Sequence, residues 1–286
     1  MMNELEFVSG LRALPLHDAA RNLDDDCAVL ELGSETLIIT HDMMAEGTHF
    51  RPEADMGDVA WKLVAMNLSD LASKGAKPLG AMLGASLGKD DEGFLAGLRT
   101  ALAVNDLPLL GGDTISVTGA STFGITALGT ATHLPVPARS GARPGDGIYM
   151  TGMVGCALLG FEGHKQHLEA FNRPQARSAE GLALAPLVTA MMDISDGLLL
   201  DGWRMAKAGE VTFRLNPDLV PVADPERFDD CVRWGDDYEL LFTADPATDL
   251  PVPATRIGTV EAKGAVPICL GGTQFARPDL LGYRHG

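Results

Sequence analysis

The sequence lacks long apolar runs and paired cysteines. No apolar run among its 286 residues approaches the length of about 18 that a membrane-spanning helix needs. Residues 1–7 lack the basic and apolar regions of a signal peptide. The four cysteines are scattered and form no C-x-x-C pair, which argues against disulfides and a structural zinc site. We therefore expect a cytoplasmic protein with reduced thiols and no membrane partner.

Positive charge is also scarce. The chain has 22 Lys and Arg against 39 Asp and Glu, for a formal net charge of −17. Because nucleic-acid binding needs a basic face, this balance argues against a nucleic-acid partner. Small phosphorylated ligands remain compatible if metal ions supply the neutralising charge.

Common catalytic motifs are missing as well. There is no G-x-x-x-x-G-K-[ST] loop, no kinase-type G-x-G-x-x-G, no G-x-S-x-G elbow and no H-E-x-x-H pattern. Ser195 stands between two acids, where its hydroxyl is poorly placed to become a nucleophile. A phosphate-binding function would therefore use an unusual scaffold.

The most informative segment is a predicted helix over residues 58–74. Trp61, Val64, Leu68 and Leu71 form a core-facing stripe, and Gly-x-x-Pro at residues 75–78 ends the helix. Because the opposite side is also partly apolar, Asp70 is expected to be buried. A buried carboxylate needs a cation, a hydrogen-bond network or a proton. The plainer interpretation pairs Asp70 with Lys74, one turn further on.

Carboxylates also follow or precede apolar runs at five other places. These are the acidic triplet at 24–26, Asp42, Asp113, Asp193 with Asp196, and Asp236 with Asp237. Each alone is explained as a turn former or helix cap. If they converge with Asp70, their repulsion requires cations, and oxygen-only ligands favour Mg²⁺ and hence phosphate chemistry.

Predicted strands and helices alternate in both halves of the chain, so the fold class is α/β or α+β. Acids end the predicted strands at 36–42 and 107–113, and a helix is predicted over residues 178–190. The segment at 133–146, rich in Pro, Gly and Arg, is the predicted domain boundary.

An ordered set of motifs carries a family resemblance. It consists of D-D-C-A-V-L at 25–30, Asp42 with E-G-T-H-F at 46–50, N-L-S-D-L-A at 67–72, G-G-D-T at 111–114, R-S-G-A-R-P-G-D at 139–146, D-I-S-D-G-L at 193–198 and G-D-D-Y-E-L at 235–240. This set resembles the thiamine-monophosphate kinases, which share a superfamily with aminoimidazole ribonucleotide synthetase, selenophosphate synthetase and a hydrogenase-maturation dehydratase.

The resemblance implies a two-domain α/β protein. Residues 1–135 would form an N-terminal domain that binds ATP and Mg²⁺, and residues 136–286 a C-terminal α/β sandwich. The N-terminal sheets of two subunits would pair into a β-barrel, giving a homodimer with ATP near the interface.

The resemblance also implies roles for individual residues. Several Mg²⁺ ions would be held by Asp26, Asp42, Asp70, Asp113, Asp193 and Asp196, of which Asp70, Asp113 and Asp193 would be catalytic. ATP, the co-substrate, would contact Gly112, Asp113, Arg139 and Ser195. His49 and Asp236 would bind thiamine monophosphate, which would receive the γ-phosphoryl group of ATP directly and become thiamine diphosphate.

Three departures from the family pattern affect acceptor recognition more than ATP and Mg²⁺ binding, and the first of them also concerns a metal contact. His41 stands where Thr or Ser is usual beside the metal-binding Asp42. Asp236 replaces the commoner Glu, with Trp234 in place of a Gly. Leu280 stands roughly where the family often has an aromatic residue, and Tyr283 is close but not equivalent.

Three alternatives remain at this point. A related superfamily enzyme could have kept the ATP–Mg²⁺ half and changed its acceptor. A nucleotide-binding regulator without turnover would not need the nearly full set of acids. A metal-free structural protein would leave the clustered carboxylates uncompensated.

Overall fold

The computed structural model describes residues 4–88 and 90–283. Helices and strands alternate in both halves of the chain. The α-helices are α1 Glu4–Arg12, α2 Met56–Ser73, α3 Asp91–Val104, α4 Cys156–Phe161, α5 Leu168–Asn172, α6 Ser178–Leu184, α7 Leu198–Ala208 and α8 Phe228–Cys231. The strands are β1 Ala28–Leu32, β2 Glu35–Ala45, β3 Ala76–Leu87, β4 Leu109–Ser116, β5 Thr122–Ala131, β6 Gly147–Met150, β7 Ala190–Ile194, β8 Val211–Leu215, β9 Glu239–Ala244, β10 Thr255–Ala262, β11 Ile268–Leu270 and β12 Thr273–Phe275.

The first sheet has the strand order β1-β2-β5-β3-β4. All neighbouring strands are antiparallel except β3 and β4, which are parallel. Helices α2 and α3 pack against each other, and α2 covers one face of the sheet, where Leu63, Ile38 and Ile125 are fully buried. The other face carries exposed apolar side chains, among them Met43 and Met82.

Helix α2 begins two residues before and ends one residue before the predicted range of 58–74, and it is buried as predicted. Asp55 caps its N-terminus by accepting hydrogen bonds from the backbone N–H groups of Gly57 (2.8 Å) and Asp58 (3.1 Å). At its other end Gly75 has a left-handed φ of 58°, as expected of a residue just beyond a helix. Asp70 is buried, and α2 contacts the first sheet, α6 and β7.

The second sheet has the order β12-β11-β8-β10-β6-β9-β7 and lies entirely in the second half. Its core joins apolar residues of the sheet, such as Phe213 and Leu241, to Leu199 and Met205 of α7. The segment at 132–146 connects the two sheets and contains only the short 3₁₀ turn Arg139–Gly141. The division at residues 135 and 136 stays a prediction, which the position of this segment supports.

Three predicted boundaries are wrong. Strand β2 continues past Asp42 to Ala45, because Met43 and Met44 go on alternating between the exposed and buried faces. Gly112 and Asp113 lie inside β4 rather than at its end. Helix α6 ends at Leu184 rather than near 190, since Pro186 has no N–H to continue the helix.

No helix in the described ranges is both long and apolar enough to cross a membrane.

Candidate active site

Three carboxylates from three elements converge between the two sheets. Asp26 precedes β1, Asp70 lies on α2 and Asp193 lies on β7 of the second sheet. One oxygen of each lies within 4.8 Å of the others. The chain thus brings together acids that are 167 residues apart (193 − 26).

Asp70 has no salt bridge with Lys74, so the plainer sequence interpretation is wrong. Lys74 instead contacts the carboxylates of Asp25 (2.6 Å) and Asp26 (2.8 Å). Asp70 accepts a short hydrogen bond from the hydroxyl of Thr40. Burial and the neighbouring carboxylates raise the pKa of Asp70 well above its usual value.

Asp193 has one used and one unused oxygen. The hydroxyl of Ser69 donates to Oδ2 at 2.6 Å. Its Oδ1 is buried and accepts no hydrogen bond from the part of the chain that the structure describes. Burial, with the nearby charge of Asp26, raises the pKa of Asp193 to about 8.

Asp26 is in the opposite electrostatic situation. Burial would raise its pKa, but the cations of Arg139 and Lys74 outweigh burial and hold the pKa well below its usual range. Asp42, which contacts neither cation, has its pKa raised to about 6 by burial and by the charges of Asp26 and Asp196. The protein's own cations, Arg139 and Lys74, therefore neutralise Asp26. Asp42, Asp70 and Asp193 have no such cationic partner among the described residues.

This donor set fits a hard divalent cation. Three carboxylate oxygens lie close together, and the buried Oδ1 of Asp193 lacks the hydrogen bond that a buried acceptor normally has. Oxygen ligands of this kind suit Mg²⁺. A bound cation would favour the ionised form of every carboxylate in the cluster.

A cavity of about 1040 Å³ opens beside this cluster, and Asp26 and Asp70, but not Asp193, are among its lining residues. Asp26, Asp42, Asp70 and Asp196 line its acidic part. Cationic residues of the lining include Arg51, Lys62, Arg139, Arg204 and Arg233. Its aromatic residues include Phe161, Phe171, Trp203, Trp234, Tyr238 and Tyr283.

The turn that follows β7 is held by Asp201 of α7. Oδ2 of this fully buried carboxylate accepts the backbone N–H groups of Ser195 (3.1 Å) and Asp196 (2.9 Å). Arg204 donates to Oδ1 at 2.9 Å and also pairs with the carboxylate of Asp196. Ser195 and Asp196, two predicted site residues, therefore line the cavity in a fixed position.

The remaining predicted residues of this cavity are Arg139, His49 and Asp236. The Nδ1 atom of His49 accepts the backbone N–H of Ala45 at 3.0 Å. Asp236 pairs with Lys62 at 2.6 Å and accepts the hydroxyl of Tyr238 at 3.0 Å. All three residues line the cavity.

Gly112 and Asp113 lie outside the lining of this cavity. The strand register pairs Asp113 with Gly84, Gly84 with Gly124, and Gly124 with Met43. Because directly paired residues share a face, Asp113 lies on the exposed side of the sheet with Met43. The neighbouring residue of β2, Asp42, faces the cavity.

The departures at His41 and Leu280 do not lie at the cavity. His41 is exposed, its Nδ1 lies 2.9 Å from the hydroxyl of Thr126, and Thr40 is the residue that contacts Asp70. The side chain of Leu280 is 86% exposed and outside the lining, whereas Tyr283 is part of it.

The sequence interpretation missed several residues of the site. Lys62 is buried on an almost wholly apolar helix, and that position was a signal that it needs an acidic partner. Asp201 and Arg204 gave no signal, since an acid and a base one turn apart on a helix are ordinary surface features.

The fold and the site together define a class. Residues 24–131 match the family model of the AIR synthase related protein, N-terminal domain. A solved structure described as AaThiL complexed with AMPPCP and TMP superposes with a TM-score of 0.85 at 24% identity, covering 100% of this chain and 97% of that one. The architecture is therefore that of the AIR synthase related proteins.

Two further relatives narrow the assignment. Thiamine-monophosphate kinase of Salmonella typhimurium is 33% identical over 313 residues, covering 94% of this chain and 92% of that protein. The crystal structure of thiamine-monophosphate kinase from Stenotrophomonas maltophilia K279a is 30% identical with a TM-score of 0.77, covering 88% of this chain and 90% of that one. The chain belongs to the thiamine-monophosphate kinase family.

Proposed function

We propose that this protein transfers the γ-phosphoryl group of ATP to thiamine monophosphate. An oxygen of the acceptor phosphate forms a bond to the γ-phosphorus, and the bond from that phosphorus to the β–γ bridging oxygen breaks. The products are thiamine diphosphate and ADP. Two observations support this proposal. The relatives are named for this activity, and the cavity has acidic, cationic and aromatic residues in its lining.

The unpartnered Oδ1 of Asp193, beside Asp26 and Asp70, is the observation that supports this function most directly. A structural carboxylate would have both oxygens satisfied. In this proposal Asp26, Asp42, Asp70, Asp193 and Asp196 hold several Mg²⁺ ions. Bound Mg²⁺ neutralises phosphate charge and favours in-line displacement.

The protein's own side chains position the two substrates. Arg139 and Ser195, at the acidic part of the cavity, contact ATP. His49 and Asp236 bind thiamine monophosphate, with Lys62 beside Asp236. Because the acceptor is a phosphate oxygen that is already ionised near neutral pH, the reaction needs no general base. Positioning and charge neutralisation supply the acceleration.

The proposed enzyme is a cytoplasmic homodimer. The exposed face of the first sheet carries Met43 (54% exposed), Met82 (48%) and Ile115 (53%), and β4 is an edge strand. Pairing of two such sheets would cover these side chains and the strand edge. Asp113, which lies on this exposed face, would then reach the active site of the other subunit, and Gly112 precedes it on β4.

The direct test incubates the protein with ATP, Mg²⁺ and thiamine monophosphate and follows thiamine diphosphate by chromatography. Asp70→Asn serves as the blank, because it keeps the shape of the side chain and removes its charge. Product from the wild type alone is the expected result. No product, together with Mg²⁺-dependent ATP binding, would instead favour a related enzyme with another acceptor.

Mixed dimers test the shared site. Asp70→Asn and Asp113→Asn subunits, each inactive alone, should regain activity when mixed, since some dimers would contain one intact site. A mixture as inactive as its components would show that Asp113 does not act across the interface.

A further inference from the structure

The loop that carries Trp234 is pressed against the turn that carries Ser195 and Asp196. A Cβ added to Gly235 would lie 2.1 Å from the carbonyl oxygen of Ser195. The backbone N–H of Asp236 donates to that same oxygen at 2.8 Å. The two loops therefore have a fixed separation, and residues of one keep a constant position relative to residues of the other.

Trp234 lines the cavity and packs on a neighbouring aromatic residue. Its ring lies 5.0 Å from that of Phe161, and Phe161 lies 5.4 Å from Phe171 in an edge-to-face arrangement. This assembly, which we call the aromatic wall, consists of Phe161, Phe171 and Trp234. It lies beside the Asp236–Lys62 pair, since Lys62 contacts both Asp236 and the Phe171 ring.

Two rings of the aromatic wall already bind the protein's own cations. The guanidinium of Arg51 lies 4.3 Å from the centre of the Phe161 ring. The ammonium of Lys62 lies 3.9 Å from the centre of the Phe171 ring. No cation lies over the Trp234 ring among the residues that the structure describes, although tryptophan is the strongest cation–π partner.

We infer that Trp234 is the surface on which the cationic ring of the acceptor packs. This inference rests on the proposed function and makes it more specific. Thiamine monophosphate has a positively charged thiazolium ring, which lies between an aminopyrimidine at one end and a phosphate at the other. Packing of the thiazolium on Trp234, with the Asp236 carboxylate nearby, holds the acceptor at a set distance from the Ser195–Asp196 turn. The aromatic partner of the substrate then comes from residue 234, and the exposed Leu280 is not needed for it.

A pair of substitutions tests this inference. Trp234→Leu keeps an apolar side chain but removes the ring, so KM for thiamine monophosphate should rise about tenfold. Trp234→Phe keeps a ring and should raise KM by about threefold or less. KM for ATP should stay unchanged in both variants, and Leu280→Ala, the matched control, should behave as wild type.

Fluorescence provides a reading that does not need turnover. The chain has three tryptophans, and thiamine monophosphate should quench the emission of the wild type much more than that of Trp234→Phe. Wild-type KM for thiamine monophosphate in both Trp234 variants, or unchanged quenching, would overturn the inference. A wild type that forms no thiamine diphosphate would instead contradict the proposed function, so the two failures are distinguishable.

Discussion

Asp193 and Asp201 are two buried carboxylates on one strand–turn–helix unit, and they differ in how their oxygens are satisfied. Asp201 is fully buried, and two backbone N–H groups and Arg204 satisfy both of its oxygens. Asp193 is 1% exposed, and only its Oδ2 has a partner. Burial raises the pKa of Asp201 to about 7 and that of Asp193 to about 8.

The comparison shows that neither burial nor a raised pKa distinguishes a ligand from a structural group. For these two acids the unsatisfied oxygen of Asp193 makes the distinction, because a folded chain normally satisfies its buried acceptors. Asp193 therefore has the features of a metal ligand, and Asp201 those of a residue that positions the turn.

Replacement of each acid by its amide should separate the two roles most strongly. Asp193→Asn should lower kcat about a thousandfold or more, because a cation ligand is lost, while the thermal midpoint stays the same or rises. Asp201→Asn should lose about 1–3 kcal/mol of unfolding free energy, because its N–H partners and Arg204 lose a charged acceptor. The reverse pattern in kinetics and unfolding would refute this division.

Magnesium should stabilise the protein through Asp193 and not through Asp201. At a concentration about 100 times its dissociation constant, a ligand of the folded state adds about 2.7 kcal/mol to the unfolding free energy. We expect a Mg²⁺-dependent rise in melting temperature for the wild type and for Asp201→Asn. In Asp193→Asn most of this rise in melting temperature should disappear. EDTA should reverse the rise in every variant that shows it. An equal Mg²⁺ response in Asp193→Asn would argue against this ligand.

The pH dependence of stability extends the comparison to a third acid. Asp237 accepts the backbone N–H groups of Gly155 and Ala157, yet burial raises its pKa from 3.8 to about 7. The pKa of Asp237 is higher in the folded state than in the unfolded state. Its contribution to the unfolding free energy is therefore fully present below about pH 4 and is lost as the pH rises to about 7. The rate of loss is about 1.4 kcal/mol per pH unit for one group.

In EDTA, Asp237→Asn should therefore flatten the fall in wild-type stability between about pH 4 and pH 7. The part removed by this substitution should be the same with and without Mg²⁺, since Asp237 is satisfied by backbone groups. Denaturant unfolding at several pH values measures it. If Mg²⁺ abolished the pH-dependent contribution of Asp237 to stability, Asp237 would be a metal ligand like Asp193.

The smallest loss of stability in this comparison is expected for an exposed acid. Asp24 is 51% exposed and pairs with Arg12, which is 38% exposed. Surface pairs of this kind contribute about 0–1 kcal/mol, so Asp24→Asn should change the unfolding free energy by no more than that. A loss above about 2 kcal/mol in thermal unfolding would show that exposure is a poor guide here.

The sequence was informative where a local pattern has a direct physical consequence. Asp70 could be predicted to be buried, because apolar residues surround it on α2. The sequence predicts that either Asp90 or Asp91 caps α3, and in the structure the carboxylate of Asp90 accepts the N–H of Gly93 at 3.1 Å. The family motifs placed Asp26, Asp70 and Asp193 in one metal-binding set, and the structure brings these three together.

Properties that depend on distant partners could not be predicted. The choice of Lys74 between Asp70 and Asp26 depends on where β1 lies, and the pairing of Lys62 with Asp236 joins residues 174 positions apart. The side of the sheet on which Asp113 lies depends on the register of three strand pairs. Such long-range geometry follows from the packing of the whole chain.

Helix α2 contributes residues to both ends of the proposed active site. Lys62 is at the acceptor end and Asp70 at the metal end, eight residues further along the same rigid helix (70 − 62). At 1.5 Å per residue this fixes a spacing of about 12 Å along the axis. In the proposed reaction this spacing would set the length of substrate that fits between Lys62 and Asp70. One residue inserted between Lys62 and Asp70 would lengthen their spacing by only about 1.5 Å. It would also rotate one of the two side chains by about 100° around the helix axis, away from the cavity.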